Sequence, residues 1–504
     1  MNKERSADMR DFRKLRFLRR FCVNPYKTLR FPLMRMDFCK DWITEPGGDP
    51  YPLLEGKAQE CLKDGLYVLE NPSAEPASRC RMLGQHFPFA TYELCVREMK
   101  DAELGFAFVP KTMPQWRVTF TLCDGKVKVL VRCAQTVHEQ QTEIAFQSGM
   151  HFFVTCSGSG VDVYVQCGGK PELVLAKVLE LPENIQAYRC FTQTAACVCC
   201  ALQSGGKAVL ESAEGYLDAG VSQADIKCMR YEDGTPILHD GKVFLTASVR
   251  HEKGGYQAVL SWNPSGCAFR MEGAYFFDYG DGVWNGDIAS RVVYNRPTGE
   301  WYVWAAAFSQ GHRLCHAVSR SDLRFGISVL DAECMPLPTE PVSDEAFFAK
   351  EGDEDPDFLY DAASGKWLLT VCRVVHFPER NYYRYFLFAS DDPFTGYTFR
   401  DKTQIGSDTG GAMLRLGEQL YFVCGSDGSS RARYHAYSLE DLSDCTQMTF
   451  DYDDGGFRGW GTILPIPCGN RTRLVWITFD RHRGTPQNWS YGNLYVYEAE
   501  NFID

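Results

Sequence analysis

The chain has 504 residues, too many for one compact core, and its 45% hydrophobic and 23% charged residues are ordinary for a globular protein. A net charge of −12 argues against general nucleic-acid binding, which needs a basic surface. No apolar run approaches the ~18 residues of a membrane helix. No secretory leader is recognisable ahead of the 21 scattered cysteines, so reduced core thiols in a cytoplasmic protein are expected.

In chain order, residues 1–50 read as a basic lead-in. The first 30 residues hold ten Lys or Arg, and Met9–Phe21 (MRDFRKLRFLRRF) is expected to be a helical lead-in that packs on the body. Residues 51–225 carry short alternating segments: Thr91–Val96, Gly105–Val109, Arg117–Leu122, Val127–Cys133, Glu143–Phe146, His151–Cys156, Val161–Cys167 and Leu173–Val178. Turn signals such as Asp124-Gly125 and Ser157–Gly160 separate them, which predicts an antiparallel β-sandwich. The stretch Gly149–Gly169 (GMHFFVTCSGSGVDVYVQCGG) resembles the adjacent-strand hairpin of concanavalin- or laminin-G-like sandwiches, so a lectin-like domain is expected. No binding residue is carried over. Cys197, Cys199 and Cys200 have no neighbouring His and no second ligand pair, and they read as core thiols rather than a zinc site.

Residues 226–504 repeat. Glu232–Ala247, Gly286–Ala306, Glu354–Val371, Asp408–Gly425 and Arg458–Thr478 each show a short apolar strand, a Gly-containing turn and a second apolar or aromatic strand. Asp233, Asp287, Asp355, Asp408 and Arg458 follow one another at offsets of 54, 68, 53 and 50 residues. That is the length of a four-stranded propeller blade, and the alternation has period two throughout. The predicted fold is therefore all-β: a lectin-like sandwich followed by a five-bladed β-propeller.

Inner strands of a propeller converge on its axis, so Asp233, Asp287 and Asp355, with Asp408 more loosely in register, are expected to face one cavity. Grouped carboxylates push their pKa values apart, so that one serves as acid while another stays ionised. Trp284 and Trp460 suit stacking on a sugar face. Arg291, Arg373, His376, Arg380, Arg481 and His482 recur near strand ends, and Arg pairs bidentately with phosphate or carboxylate.

Asp233 with its following strand, EDPDFLYD around Asp355, and HAVSRSDL (His316–Leu323) resemble the five-bladed furanosidase-type glycoside hydrolases: arabinanases, α-L-arabinofuranosidases, β-xylosidases and invertase relatives. The likeness spans roughly residues 226–504. It implies that Asp233 is the general base or nucleophile and that Asp355 tunes pKa and orients the sugar. The family's general acid is a Glu opening the fourth blade, where this chain has Asp408-Thr409-Gly410-Gly411. Asp287 is the first substitute for that acid, followed by Glu354 and Asp408.

The sequence thus points to hydrolysis of short oligosaccharides or glycosides, exo-acting on furanosides or pentosides. The catalytic candidates are Asp233, Asp287 and Asp355. The substrate-binding candidates are Trp284, Arg291, Glu354, Arg373, His376, Asp408, Trp460 and His482. No cofactor or metal ligand set is assigned, although converging carboxylates are compatible with a divalent ion in the central channel. A propeller-fold glycoside phosphorylase and a non-catalytic carbohydrate-binding propeller are the alternatives. Sugar identity, linkage, stereochemistry and oligomeric state are left open.

Overall fold

The computed structural model describes residues 13, 15–23, 28–44, 49–123, 126–133, 136–158, 160–178, 193–220, 223–251, 254–335, 337–338, 349–376, 381–404, 408–426, 434–451, 460–479 and 492–503. These residues are almost entirely β, with single 3-10 turns at Pro114–Trp116 and Phe308–Gln310. None forms a helix long and apolar enough to cross a membrane. The chain divides into two compact units, Arg30–Asp218 with His251–Gly254, and Met1–Leu29 with Ala219–Arg250 and Gly255–Asp504.

In the unit built on Arg30–Asp218, thirteen strands belong to one sheet. Its spine is the antiparallel pair Thr91–Pro110 and Thr194–Asp218, whose ladder shifts register at Leu202/Lys207, Val209/Leu210 and Leu210/Ser212. Such bulges bend and twist long strands. Met150–Ser157 and Gly160–Gln166 pair as an antiparallel hairpin from His151↔Gln166 to Ser157↔Gly160, as the sequence predicts. The two long strands carry hydrogen bonding continuously through all thirteen. Cys80, Cys197 and Cys199 lie in a small apolar cluster of this unit and are free thiols.

Among the described residues, the other unit holds sheets of ten, four, four and five strands, and the ten-stranded one divides into two, which makes five groups. Their inner strands are Gln223–Cys228, Ile288–Asn295, Ala349–Asp361, Asp408–Leu416 and Thr462–Cys468. The groups are referred to as the first to fifth sheets. The first and second are joined at their outer strands by parallel pairing of Gly273–Asp278 with Gly326–Asp331. Apolar cores lie between successive sheets. Phe244 and Tyr275 meet Val292 and Trp301, Trp304 meets Phe358 and Phe388, Tyr385 meets Phe422, and Tyr434 meets Trp476. The fifth sheet returns to the first, where Ile226 N–H donates to Trp460 O at 3.0 Å and Cys228 N–H to Thr462 Oγ1 at 3.3 Å.

The basic lead-in departs from expectation. Arg16–Val23 is a strand, not a helix, and it pairs antiparallel with Leu494–Ala499 as part of the fifth sheet. Phe17 is fully buried and stacks on Phe450 at 5.1 Å, while Arg20 pairs with Glu498 at 2.6 Å. A strand edge left open at Leu494–Ala499 accepts this segment, which outweighs its helical charge pattern.

Candidate active site

Each of the first four inner strands carries a β-bulge. The ladders shift register at Ala224/Lys227, Ile288/Arg291, Glu354/Asp357 and Thr409/Ala412. A bulge sets two residues against one and re-aims a side chain. In each, one residue takes positive φ: Asp225 at 48°, Ala289 at 55°, Asp355 at 50° and Gly410 at 63°. Trp460, just before the fifth inner strand, stands at 52°. Such backbone is strained for most residues and milder for Asp. Its recurrence marks one position repeated in five sheets, and two of its occupants are carboxylates.

Asp225 and Asp355 are 3% and 5% exposed. Asp355 accepts the Gly410 N–H at 2.8 Å through Oδ2. Burial, with the charges of Asp225 and Glu354, lifts its carboxyl to about 7 against the opposing pull of Lys227 and the Gly410 amide. Asp225 is raised as well. Burial and the Glu354 charge act upward on it, while Arg250, Ser248 and Lys227 act downward. Glu354, half-buried beside them, meets His312 Nε2 at 3.2 Å. His312 stacks on Phe308 with ring centroids 4.1 Å apart, at the tip between the middle strands of the second sheet. One donor atom each from Glu354, Asp355 and Cys372 lies within 4.8 Å of the other two, so these three side chains are also able to share a cation.

Lys227 is wholly buried and donates Nζ to Gly411 O. Burial pulls its pKa down, with Asp355, Asp357 and Asp225 opposing. A Cβ on Gly410 would stand 2.6 Å from Trp460 Cα, and one on Gly411 would stand 2.6 Å from Tyr385 Cζ, so neighbouring sheets crowd these two positions.

Further along the same inner strands lies a buried ion triad. Asp357 accepts from Arg230 through Oδ1, and from Arg291 Nη2 and the Met413 N–H through Oδ2, both at 2.6 Å. A cavity of about 10 Å³ lies among Arg230, Arg291, Met413 and Ile463, room for one water.

The sequence-predicted residues divide accordingly. Asp355 and Glu354 join the cluster. Asp287 opens the second inner strand, where it accepts from Ser309 N–H at 2.9 Å, Ser309 Oγ at 2.8 Å and Tyr279 O–H at 2.5 Å. Burial raises its pKa, and these donors offset part of that. Asp233 lies elsewhere. It caps a turn through the Thr235 N–H at 2.9 Å and pairs with Arg296 Nη2 at 2.5 Å. Burial acts to raise its pKa, but Thr235 and Arg296 outweigh it and hold the carboxyl low. Arg296 follows the far end of the eight-residue second inner strand, roughly 25 Å from the end at Asp287.

Arg291 is committed to Asp357. Arg373 pairs with Asp353 at 3.1 Å and lies over Phe386 and Phe388, each at 5.1 Å. Trp284 stacks on Phe276 at 5.5 Å, and Trp460 donates Nε1 to Thr409 Oγ1 at 2.5 Å. Asp408 and His376 have their backbones in strands, but their side chains lie outside the described residues, as do His482, Arg481 and Arg380.

Sequence reasoning passed over Asp225, Lys227, Asp357, His312 and Cys372. The signal for Asp225 and Lys227 was in QADIKC (Gln223–Cys228), where polar residues alternate with apolar ones in a segment buried on both faces.

No family model matches the chain, and no curated protein matches it. Among solved structures, it is similar to the catalytic domain of a GH62 α-L-arabinofuranosidase from Coprinopsis cinerea. The identity is 11%, over 56% of this chain and 98% of that one, with a TM-score of 0.36. It is similar to Bacillus subtilis levansucrase at 11% identity, over 56% and 88%, with a TM-score of 0.41. A family 117 glycoside hydrolase of Zobellia galactanivorans gives 11%, 57%, 87% and 0.40. Likeness this loose assigns nothing to the chain.

Proposed function

We propose that the five groups of strands form a five-bladed β-propeller whose carboxylate end hydrolyses glycosidic bonds in short oligosaccharides or glycosides. The observation that carries this reading is the pair Glu354 and Asp355, with carboxylate oxygens within 4.8 Å, on a third inner strand close enough to the first for the Asp225 charge to act on Asp355. Glycoside hydrolysis needs one carboxyl to protonate the leaving oxygen and one carboxylate as base or nucleophile. Asp225 takes the second role, in place of the Asp233 that the family resemblance suggested. Glu354 is the proton donor, being the most open of the three and partnered by His312. Asp355, kept protonated to about pH 7, donates a hydrogen bond to the sugar and holds the other two apart in charge.

Exo action is part of the proposal: the buried triad of Arg230, Arg291 and Asp357 fills the space between the inner strands beyond the cluster, so a substrate would place only its terminal sugar at the carboxylates. Furanosides or pentosides remain the proposed class. Phosphorolysis has less support, because Arg291 and Arg373 are engaged with Asp357 and Asp353.

The test uses aryl glycosides and oligosaccharides, with and without phosphate. Asp225→Asn is expected to lose roughly 10³-fold on both classes. Glu354→Gln is expected to lose as much on oligosaccharides but far less on aryl glycosides, whose leaving group needs no proton. Wild-type turnover in Asp225→Asn would remove the proposal, and cleavage that requires phosphate would replace it with a phosphorylase.

A further inference from the structure

Between the first and second sheets a pocket of about 300 Å³ opens to solvent, a size at the small end of ligand sites. Its walls are aromatic. Tyr231 and Tyr294 meet edge to face at 6.3 Å, and Tyr294 packs on Trp301 at 4.9 Å. Arg320, Asp322 and Arg324 line it as well, and Arg324 lies over Trp301 at 5.8 Å. Tyr231 follows the first inner strand, and its neighbour Glu232 accepts the Tyr360 N–H at 2.7 Å. Tyr360 stands roughly 15 Å beyond Asp355 along the third inner strand, so one small ligand cannot touch both the pocket and the carboxylates.

The pocket collects polar atoms that the fold leaves over. Buried Trp N–H and Tyr O–H groups ordinarily find a hydrogen-bond partner. Trp301 is only 5% exposed, yet its Nε1 donates to nothing among the described residues. The hydroxyls of the half-buried Tyr231 and Tyr294 are equally without a protein partner there. Charge is balanced at the same place. Arg324 holds Asp322 in a bidentate pair, Nε to Oδ1 at 2.9 Å and Nη2 to Oδ2 at 2.7 Å, and Arg320 Nε meets Glu300 Oε1 at 3.2 Å. With each guanidinium cancelled by a carboxylate, the pocket selects neither an anion nor a cation. What these pairs leave open are N–H donors and carboxylate lone pairs, and a hydroxyl suits both because it donates and accepts.

We infer that this pocket binds one neutral sugar ring, as a saccharide site separate from the carboxylate cluster. The C–H face of the ring packs on the aromatic wall, and its hydroxyls take Trp301 Nε1, the two tyrosine hydroxyls and the Asp322–Arg324 pair. An aliphatic ligand would leave those polar atoms unpaired, and a phosphate would meet no uncompensated cation. The site holds saccharide without chemistry, so its occupancy does not depend on whether the cluster hydrolyses anything.

The experiment is fluorine NMR of full-length protein labelled with fluorotryptophan, titrated with methyl β-D-xylopyranoside and methyl α-L-arabinofuranoside. The Trp301 resonance is assigned from Trp301→Phe or, should that variant not fold, as the one moved by Tyr294→Phe. A saturable shift of this resonance is expected with at least one of the two sugars. Tyr231→Phe combined with Tyr294→Phe removes two hydroxyls and keeps both rings, and it should weaken binding roughly tenfold or more. Glucuronate and glucosamine, which carry a charge on a similar ring, should bind more weakly than the neutral glycosides. No saturable shift with either neutral sugar, unchanged affinity in the double variant, or tighter binding of a charged sugar overturns the inference. Turnover is assayed separately, so a protein that binds at Trp301 without hydrolysing any glycoside keeps this site and loses only the hydrolytic reading.

Discussion

At Asp355, burial and two neighbouring carboxylates act in one direction and raise the carboxyl from 3.8 to about 7. Between those values the folded protein keeps a proton that the unfolded chain releases, so stability falls as pH rises through the window. Above about pH 7 both states are ionised and the loss is complete. At about 1.4 kcal/mol per unit this amounts to on the order of 4 kcal/mol. Asn cannot ionise and still accepts the Gly410 N–H. Asp355→Asn is therefore expected to be more stable than wild type at about pH 8, with the gap closing towards about pH 4. Denaturant titrations at several pH values check this, and a pH-independent gap would show that the ionised carboxylate is not what destabilises the site. A variant that gains stability while losing turnover fits strain held for function.

At the scale of elements, the strand repeat was legible because period-two alternation and Gly turns survive in every sheet. The aligned residues Asp287, Asp355, Asp408 and Arg458 fall within two positions of the left-handed residues Ala289, Asp355, Gly410 and Trp460. The first repeat is different. Asp233-Gly234-Thr235 carries a strong turn signal and drew the alignment, whereas its structural counterpart is Asp225, eight residues earlier. Bulges leave no sequence mark when their occupants are as unlike as Ala, Asp, Gly and Trp. Arg16–Val23 was hidden for a related reason, since an edge strand takes its conformation from a partner at the other end of the chain. That dependence is testable. Phe17 is fully buried among Phe450, Tyr434 and Trp476, so Phe17→Ala should destabilise by about 3–5 kcal/mol. The midpoint of urea unfolding measures it, and a loss under about 1 kcal/mol would mean that the strand is peripheral to the fifth sheet.

At the scale of the whole second unit, apolar cores join the sheets pairwise, but Asp357 joins four at once. Arg230 follows the first inner strand, Arg291 belongs to the second, Asp357 to the third, and the Met413 N–H to the fourth. Burial pulls the Arg230 pKa down to about 10, with Asp357 opposing, so its guanidinium stays charged, and Arg230 and Arg291 both depend on one carboxylate. Each also leaves its Nε without a partner among the described residues, which makes the triad a costly way to gain stability. Asp357→Asn is expected to cost about 3–5 kcal/mol, because two buried cations lose their anion. Replacing Arg230, Arg291 and Asp357 together by Met, Met and Leu should recover most of that, since apolar packing substitutes well for buried ion pairs. Urea unfolding of the single and triple variants separates the two contributions. If the triple variant stays as unstable as Asp357→Asn, the triad is a net source of stability. If it recovers, what the triad contributes is the register of four sheets, and with it the approach of Asp225 to Glu354 and Asp355.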